Sequence, residues 1–229
     1  MAMNMEIVAH RGASRERPEN TFAAFQLAME LGADAVELDV HRTADGVIVL
    51  HHDPTITGPS GAKLPIATMP HAALASFRVR GEPIPTLAEV LALLDGRLTA
   101  YCELKGGDTA EGTLYCIAAS GAGNRAAVHA FDHRQVAEAL LLAPDVPRGV
   151  LEASYPIHAL HALRSVQGRD IWRHCEHVDE ALVQEAHAAG ARVIAWTVND
   201  AAMMERFIHM GVDALCTDDV RLARTVRGS

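Results

Sequence analysis

Glu37 and Asp39 stand one residue apart inside the apolar run Ala35-Val36-Glu37-Leu38-Asp39-Val40. In a β-strand alternate side chains share a face, so the two carboxylates point one way and Val36, Leu38 and Val40 the other. Two anions held that close beside a hydrophobic face repel each other and lose hydration. Such a pair needs a proton, a cation or a metal between them, unless it lies on an edge strand whose polar face meets water. Glu103, in Tyr101-Cys102-Glu103-Leu104-Lys105, adds a third carboxylate at the end of another strand-like run. An all-oxygen trio suits one hard divalent cation, Mg2+ or Ca2+, completed by water and substrate oxygens. Zinc in a barrel would announce itself by a His-x-His pair, whereas His10 is followed by Arg11 and Gly12. A carboxylate network satisfied by Lys105 and Arg11 alone is the structural alternative.

Two histidines complete the chemistry. His10 and His52 both follow strand-like runs, and imidazole titrates near neutral pH, which suits proton transfer. His51 points away from His52 if the strand alternation continues. Arg11 offers a planar fork for phosphate oxygens and Lys105 a compact charge, so with a divalent cation they would hold a phosphodiester. Trp196 either faces the same site or packs in the core.

The elements that must position these groups alternate regularly. Strand-like runs at Glu6–His10, Ala35–His41, Leu98–Leu104, Ala126–Phe131, Arg148–Leu151, Ile171–Cys175, Arg192–Thr197 and Ala214–Thr217 are separated by segments of helical period. The helices are expected at Thr21–Leu31, Leu87–Leu94, Ala110–Ser120, Arg134–Leu142, Ile157–Val166, Glu180–Ala189, Ala201–Met210 and Val220–Val226. Eight strands, each followed by a helix, predict a closed (β/α)8 TIM barrel, whose active site forms at the C-terminal strand ends. His10-Arg11, Glu37, Asp39, Glu103, Lys105, Trp196 and Asp218 all fall there. The rhythm breaks once. A further strand-like run, Val47–His51, leads into a Gly/Pro-punctuated excursion over Pro54–Pro85, long for a loop and therefore read as a small insertion capping the site. No linker divides the chain, so residues 1–229 are expected to form a single domain.

Composition is that of an ordinary globular protein: 229 residues, 49% hydrophobic and 21% charged. With a net charge of −9 and no Lys/Arg-rich run, an extended nucleic-acid surface is not expected. Cysteines 102, 116, 175 and 216 lack metal-like spacing, and three of them fall in strand-like segments as small hydrophobes. The first residues show neither a basic region nor an apolar leader, and no apolar stretch approaches the roughly 20 residues a membrane span needs. A reduced, soluble, cytoplasmic protein without stable membrane insertion is expected, its oligomeric state open.

The ordered motifs His10-Arg11-Gly12, Pro18-Glu19-Asn20-Thr21, Glu37-Leu38-Asp39, His52-Asp53, Pro85-Thr86-Leu87, Glu103-Leu104-Lys105, Trp196-Thr197-Val198-Asn199 and Thr217-Asp218 make the chain resemble the glycerophosphodiester phosphodiesterases of the short bacterial type. The resemblance spans almost the whole chain. It implies Glu37, Asp39 and Glu103 as metal ligands, His10 and His52 as the acid/base pair, and phosphate contacts from Arg11 and Lys105. It further implies that Asn20 shapes the site and that Trp196 contacts the alcohol moiety. The expected reaction is hydrolysis of a glycerophosphodiester to sn-glycerol 3-phosphate and an alcohol, with His10 as base and His52 as acid. That reaction belongs to lipid and glycerol metabolism. Two alternatives accompany it: a lysophospholipase D or sphingomyelinase D-like enzyme on the same fold, and a phosphodiester-binding domain without catalysis. The chain departs from the family pattern after His52-Asp53, where it reads Pro54-Thr55-Ile56-Thr57-Gly58-Pro59, in a region that would wall the alcohol pocket.

Overall fold

Short runs of β-branched and small apolar residues pair side by side because each buries both faces, one under helices and one inside the barrel. The computed structural model describes residues 5–58 and 61–228; Pro59 of the Pro54–Pro59 segment and the first four residues lie outside the described residues. In chain order the strands are β1 (Glu6–His10), β2 (Ala35–Arg42), β3 (Ile48–Leu50), β4 (Thr55–Thr57), β5 (Lys63–Pro65), β6 (Arg78–Val79) and β7 (Glu82–Pro83). They continue with β8 (Thr99–Leu104), β9 (Ala126–Ala130), β10 (Arg148–Glu152), β11 (Asp170–His174), β12 (Arg192–Trp196) and β13 (Ala214–Thr217). The helices are α1 (Phe22–Glu30), α2 (His71–Leu74), α3 (Leu87–Leu94), α4 (Ala110–Ser120), α5 (His133–Leu142), α6 (His161–Ser165), α7 (Glu180–Ala188), α8 (Ala201–Met210) and α9 (Val220–Arg227).

Eight parallel strands, in the order β1-β2-β8-β9-β10-β11-β12-β13, close on themselves through the β13–β1 pairing. This is the (β/α)8 TIM barrel expected from the alternation. Val36, Leu38 and Val40 join the outer core under the helices, while Val8, Tyr101, Trp172, Ile194 and Cys216 pack inside the barrel. Helix starts follow the capping rules. Thr86 and Glu89 form a reciprocal capping box at α3, and Asp179, Asp200 and Asp219 cap α7, α8 and α9.

The N-terminal end of the barrel is plugged by polar groups. Tyr101 donates to Glu6 at 3.1 Å, Arg192 pairs with Glu6 and donates to the Tyr101 hydroxyl at 3.0 Å, and Asp170 accepts from Arg169 at 2.6 Å. Among the described residues the interior cavity opens at the other end. There β3 runs antiparallel beside β2, with Val40 opposite Leu50 and His41 opposite Val49.

The insertion follows β3. It comprises the β4–β5 and β6–β7 hairpins, the short helix α2, and a small core of Val49, Ile56, Ile66 and Leu74. Its two ends are held together, because Leu50 N–H donates to the Pro85 carbonyl at 2.9 Å and Val49 bridges Thr86.

Two expectations are corrected. The helix expected over Ile157–Val166 forms only at His161–Ser165, because the fully buried Arg173 binds the carbonyls of Ser154 and Ala159 and holds the preceding segment as a loop. Cys175, expected in a strand, begins a 3-10 turn after β11. Among the described residues no helix is long and apolar enough to cross a membrane.

Candidate active site

The chain leaves β1 through a left-handed turn. Arg11 has φ +55° and Gly12 φ +81°, and a Cβ on Gly12 would lie 2.7 Å from Ala24. Only glycine tolerates both the angle and the approach. The turn brings the Arg11 backbone N–H to Glu37 Oε2 at 3.1 Å and places the Arg11 Nε 3.1 Å from Asp39 Oδ2. His10, on the last residue of β1, is held by Asp218, whose Oδ1 lies 2.6 Å from Nδ1. The other ring nitrogen, Nε2, stands 3.9 Å from Glu37 Oε2. Asp218 also accepts from Ser14 at 3.0 Å and from Asn199 at 2.6 Å. Burial alone would raise this carboxyl, but the hydrogen bonds from His10, Asn199 and Ser14 pull it down to about 2.

Asp39, Glu103 and His129 lie side by side on three neighbouring strands, because β2, β8 and β9 pair Asp39 with Glu103 and Glu103 with His129. Glu37 lies two residues before Asp39, on the same inward face. All four are buried. Burial and the proximity of Asp39 and Glu103 push the Glu37 carboxyl well up. Glu103 is pushed up to about 7 by burial and Asp39, against the opposing pull of Lys105 at 3.0 Å. Asp39 goes the other way. Burial raises it, but Arg11, Lys105 and the side chain of Asn20, donating at 2.8 Å, hold it below the usual range. Asn20 itself sits at φ +56° and also accepts from the Asp39 N–H at 3.2 Å, so the Pro18–Thr21 segment fixes Asp39.

His52 follows β3 at the rim, with its Nδ1 2.9 Å from Asp53 Oδ1. His41 Nε2 donates to the His52 carbonyl at 3.2 Å, which fastens the rim to β2. His10, Arg11, Glu37, His52, Glu103, Lys105, His129 and Trp196 line one cavity of about 90 Å³, floored by Trp172. Trp196 meets Phe131 and His174 edge-on at 5.4 and 5.2 Å. Two wider grooves, of about 660 and 790 Å³, lie along α3 and α4 and gather no comparable set of acids, bases and cations.

The donor set fits a cation. Glu37 Oε1, Asp39 Oδ1 and both ring nitrogens of His129 are buried without a hydrogen-bond partner. Ligand atoms of Glu37, Glu103 and His129 lie within 4.8 Å of one another. Arg11 and Lys105 reach this cluster from one side only, and the acceptors they leave unpaired out of water can take a further positive charge.

A family model for the glycerophosphoryl diester phosphodiesterase family matches residues 10–222. The chain belongs to that family. A glycerophosphodiester phosphodiesterase of Caldanaerobacter subterraneus is 31% identical over 95% of both chains. A probable glycerophosphodiester phosphodiesterase 2 of Mycobacterium tuberculosis is 33% identical over 96% of this chain and 89% of its own. A phosphodiesterase of Oleispira antarctica, solved with the product sn-glycerol-3-phosphate, superposes with a TM-score of 0.88 at 26% identity, covering 98% of this chain and 97% of its own.

Of the residues singled out in the sequence, His10, Arg11, Glu37, His52, Glu103, Lys105 and Trp196 share the cavity, while Asn20 and Asp39 lie just behind it. Sequence reasoning placed His129 in a strand but gave it no role, and it quoted Asp218 without its partner His10. A lone histidine in the apolar run Ala126–Ala130 was the one signal for the first. The second spans 208 residues and leaves no local trace.

Proposed function

We propose that this glycerophosphoryl diester phosphodiesterase family member hydrolyses glycerophosphodiesters to sn-glycerol 3-phosphate and an alcohol. The reaction would use one divalent cation and His10 and His52 as the acid/base pair. One observation carries the reading. Two imidazoles, each tied at Nδ1 to a carboxylate, border a single cavity that also gathers Glu37, Glu103, Arg11 and Lys105. An imidazole so tied keeps its tautomer and leaves Nε2 for the substrate. The product-bound Oleispira enzyme supports the choice of substrate.

Glu37, Asp39 and Glu103 would hold the cation, which when bound offsets charge building on the phosphoryl oxygens. On these oxygens alone the ion would be of the Mg2+ or Ca2+ kind. Arg11 is engaged by Asp39 at Nε and by Glu19 at one terminal nitrogen, and Lys105 by Glu103, so the second terminal nitrogen of Arg11 and the remaining Lys105 N–H groups would be the ones to meet phosphate. His10, the less exposed imidazole, would take the proton from the attacking oxygen, and Asp218 would stabilise the imidazolium that results. His52, at the exposed rim, would give its proton to the departing alkoxide, which leaves toward solvent. Trp196 would border the alcohol moiety. The same reading places the chain in lipid and glycerol metabolism as a cytoplasmic enzyme.

The test is product analysis on glycerophosphocholine with purified protein. Wild type should release sn-glycerol 3-phosphate, and His52→Ala should lower turnover by at least about 10² while melting like wild type. Near-normal turnover of His52→Ala would rule out its role as acid. Release of phosphocholine instead would rule out the bond assigned.

A further inference from the structure

We propose that His129 supplies a nitrogen ligand to the cation, so that the site is a mixed nitrogen–oxygen centre preferring ions of the Mn2+ and Co2+ kind over Mg2+ and Ca2+. The inference rests on the metal-dependent reading above and assigns that site a fourth ligand, which the three carboxylates did not imply.

His129 is 1% exposed, and neither of its ring nitrogens has a hydrogen-bond partner. A buried polar ring left without any partner is costly, and native interiors rarely keep one. A neutral imidazole carries one N–H and one lone pair. Were the N–H turned to the acids, it would donate to Glu37 or Glu103, yet no such bond forms. With no bond between them in either tautomer, a ring nitrogen and two carboxylates converge, and the donors beside them, Lys105 on Glu103 at 3.0 Å and the Arg11 N–H on Glu37 at 3.1 Å, leave His129 unanswered. A cation answers all three at once.

The ring is also held in place. It stacks on Trp172 with centroids 4.2 Å apart and planes 8° from parallel, and Trp172 is itself braced edge-on by Tyr101 at 5.1 Å. Strand pairing sets His129 directly beside Glu103, which in turn pairs with Asp39. The ligand atoms of Glu37, Glu103 and His129 already stand within 4.8 Å of one another. Three atoms no more than 4.8 Å apart lie within about 2.8 Å of a common point, so shifts of roughly half an ångström each give bonds of about 2.2 Å. Imidazole nitrogen is a borderline ligand that first-row transition ions accept, whereas Mg2+ and Ca2+ take oxygen. Replacing one oxygen position by nitrogen therefore moves selectivity along the Irving–Williams order without adding charge.

Metal-free wild type, His129→Ala, His129→Asn and Glu37→Gln would be titrated calorimetrically with Mn2+, Co2+, Mg2+ and Ca2+. Nitrogen coupling to bound Mn2+ would be read by pulsed electron paramagnetic resonance. Wild type should bind Mn2+ more tightly than Mg2+ and show imidazole coupling. Both His129 variants should lose that coupling and bind Mn2+ at least about tenfold more weakly, the low end of what even outer-shell partners contribute. The Asn variant keeps a planar polar group should the Ala variant fail to fold, and the wild-type coupling needs no variant at all. Metal binding with no nitrogen coupling in wild type, or coupling that survives in the His129 variants, would overturn the role of His129 and leave the carboxylate site standing. If wild type bound none of the four ions, or bound them no better than Glu37→Gln, the metal reading itself would fall, and this inference with it.

Discussion

Glu103→Gln should stabilise the metal-free protein while it abolishes metal-dependent turnover. An ordinary glutamate carboxyl near 4.5 is pushed up to about 7 here by burial and by Asp39. The folded state thus holds a proton more tightly than the unfolded chain does. Below about pH 4.5 both states are protonated and the group contributes no difference. Between there and pH 7 the unfolded chain ionises first, and stability falls as pH rises. Above pH 7 the full penalty is present, about 3 kcal/mol at 1.36 kcal/mol per pH unit. For a chain of this size that corresponds to roughly 6–12 °C in Tm. Glu37, raised from the same causes, adds loss of the same sign. Wild type in chelator should therefore melt lower at pH 8 than at pH 5, and Glu103→Gln should recover part of the difference at pH 8. A saturating divalent cation should return it to wild type, by about 2.7 kcal/mol at a hundredfold excess over Kd. The assay is calorimetric melting at the two pH values, with and without cation. If metal-free Glu103→Gln melted below wild type at pH 8, the 3.0 Å pair with Lys105 would outweigh burial and repulsion, and the reasoning would be refuted.

Three further outcomes follow from the same geometry. Asp218→Asn should lower kcat by roughly 10²–10⁴, because Nδ1 of His10 loses its anionic partner, while cation affinity measured by calorimetry should stay as in wild type. Lys105→Gln should lower kcat/KM by about 10- to 10²-fold, since a charge-assisted contact to phosphate is worth about 1.5–3 kcal/mol, and its loss also leaves Asp39 and Glu103 less compensated. Gly12→Ala should lose about 3 kcal/mol or more in urea unfolding, where strain at φ +81° adds to overlap with Ala24.

The barrel was legible because its strands are short apolar runs cut by capped helices, a signal that lies within each segment. The acids Glu37, Asp39 and Glu103 were legible for the same reason, being charges set into otherwise apolar runs. What escaped depends on contacts between distant segments. The loop before α6 is held by Arg173 from the following strand, so the helical period of Ile157–Val166 was overruled by a buried guanidinium. The hairpins and single-turn helix of the insertion carry too few residues for any period to show. His129 reads locally as a core histidine, and only the register of β8 and β9 reveals Glu103 beside it. The partnership of Asp218 with His10 arises where the last strand closes on the first.

The pinned ends of the insertion have an evolutionary consequence. Because Leu50 meets Pro85 and Val49 meets Thr86, the segment between them is a closed appendage with its own small core. Residues can be gained, lost or exchanged beyond Asp53 without moving His52, because the His51 N–H on the Asp39 carbonyl and His41 on the His52 carbonyl fasten that rim to β2 separately. No described residue of 54–85 lines the cavity, so this appendage can drift or be exchanged as a cassette while the reacting centre stays under separate selection.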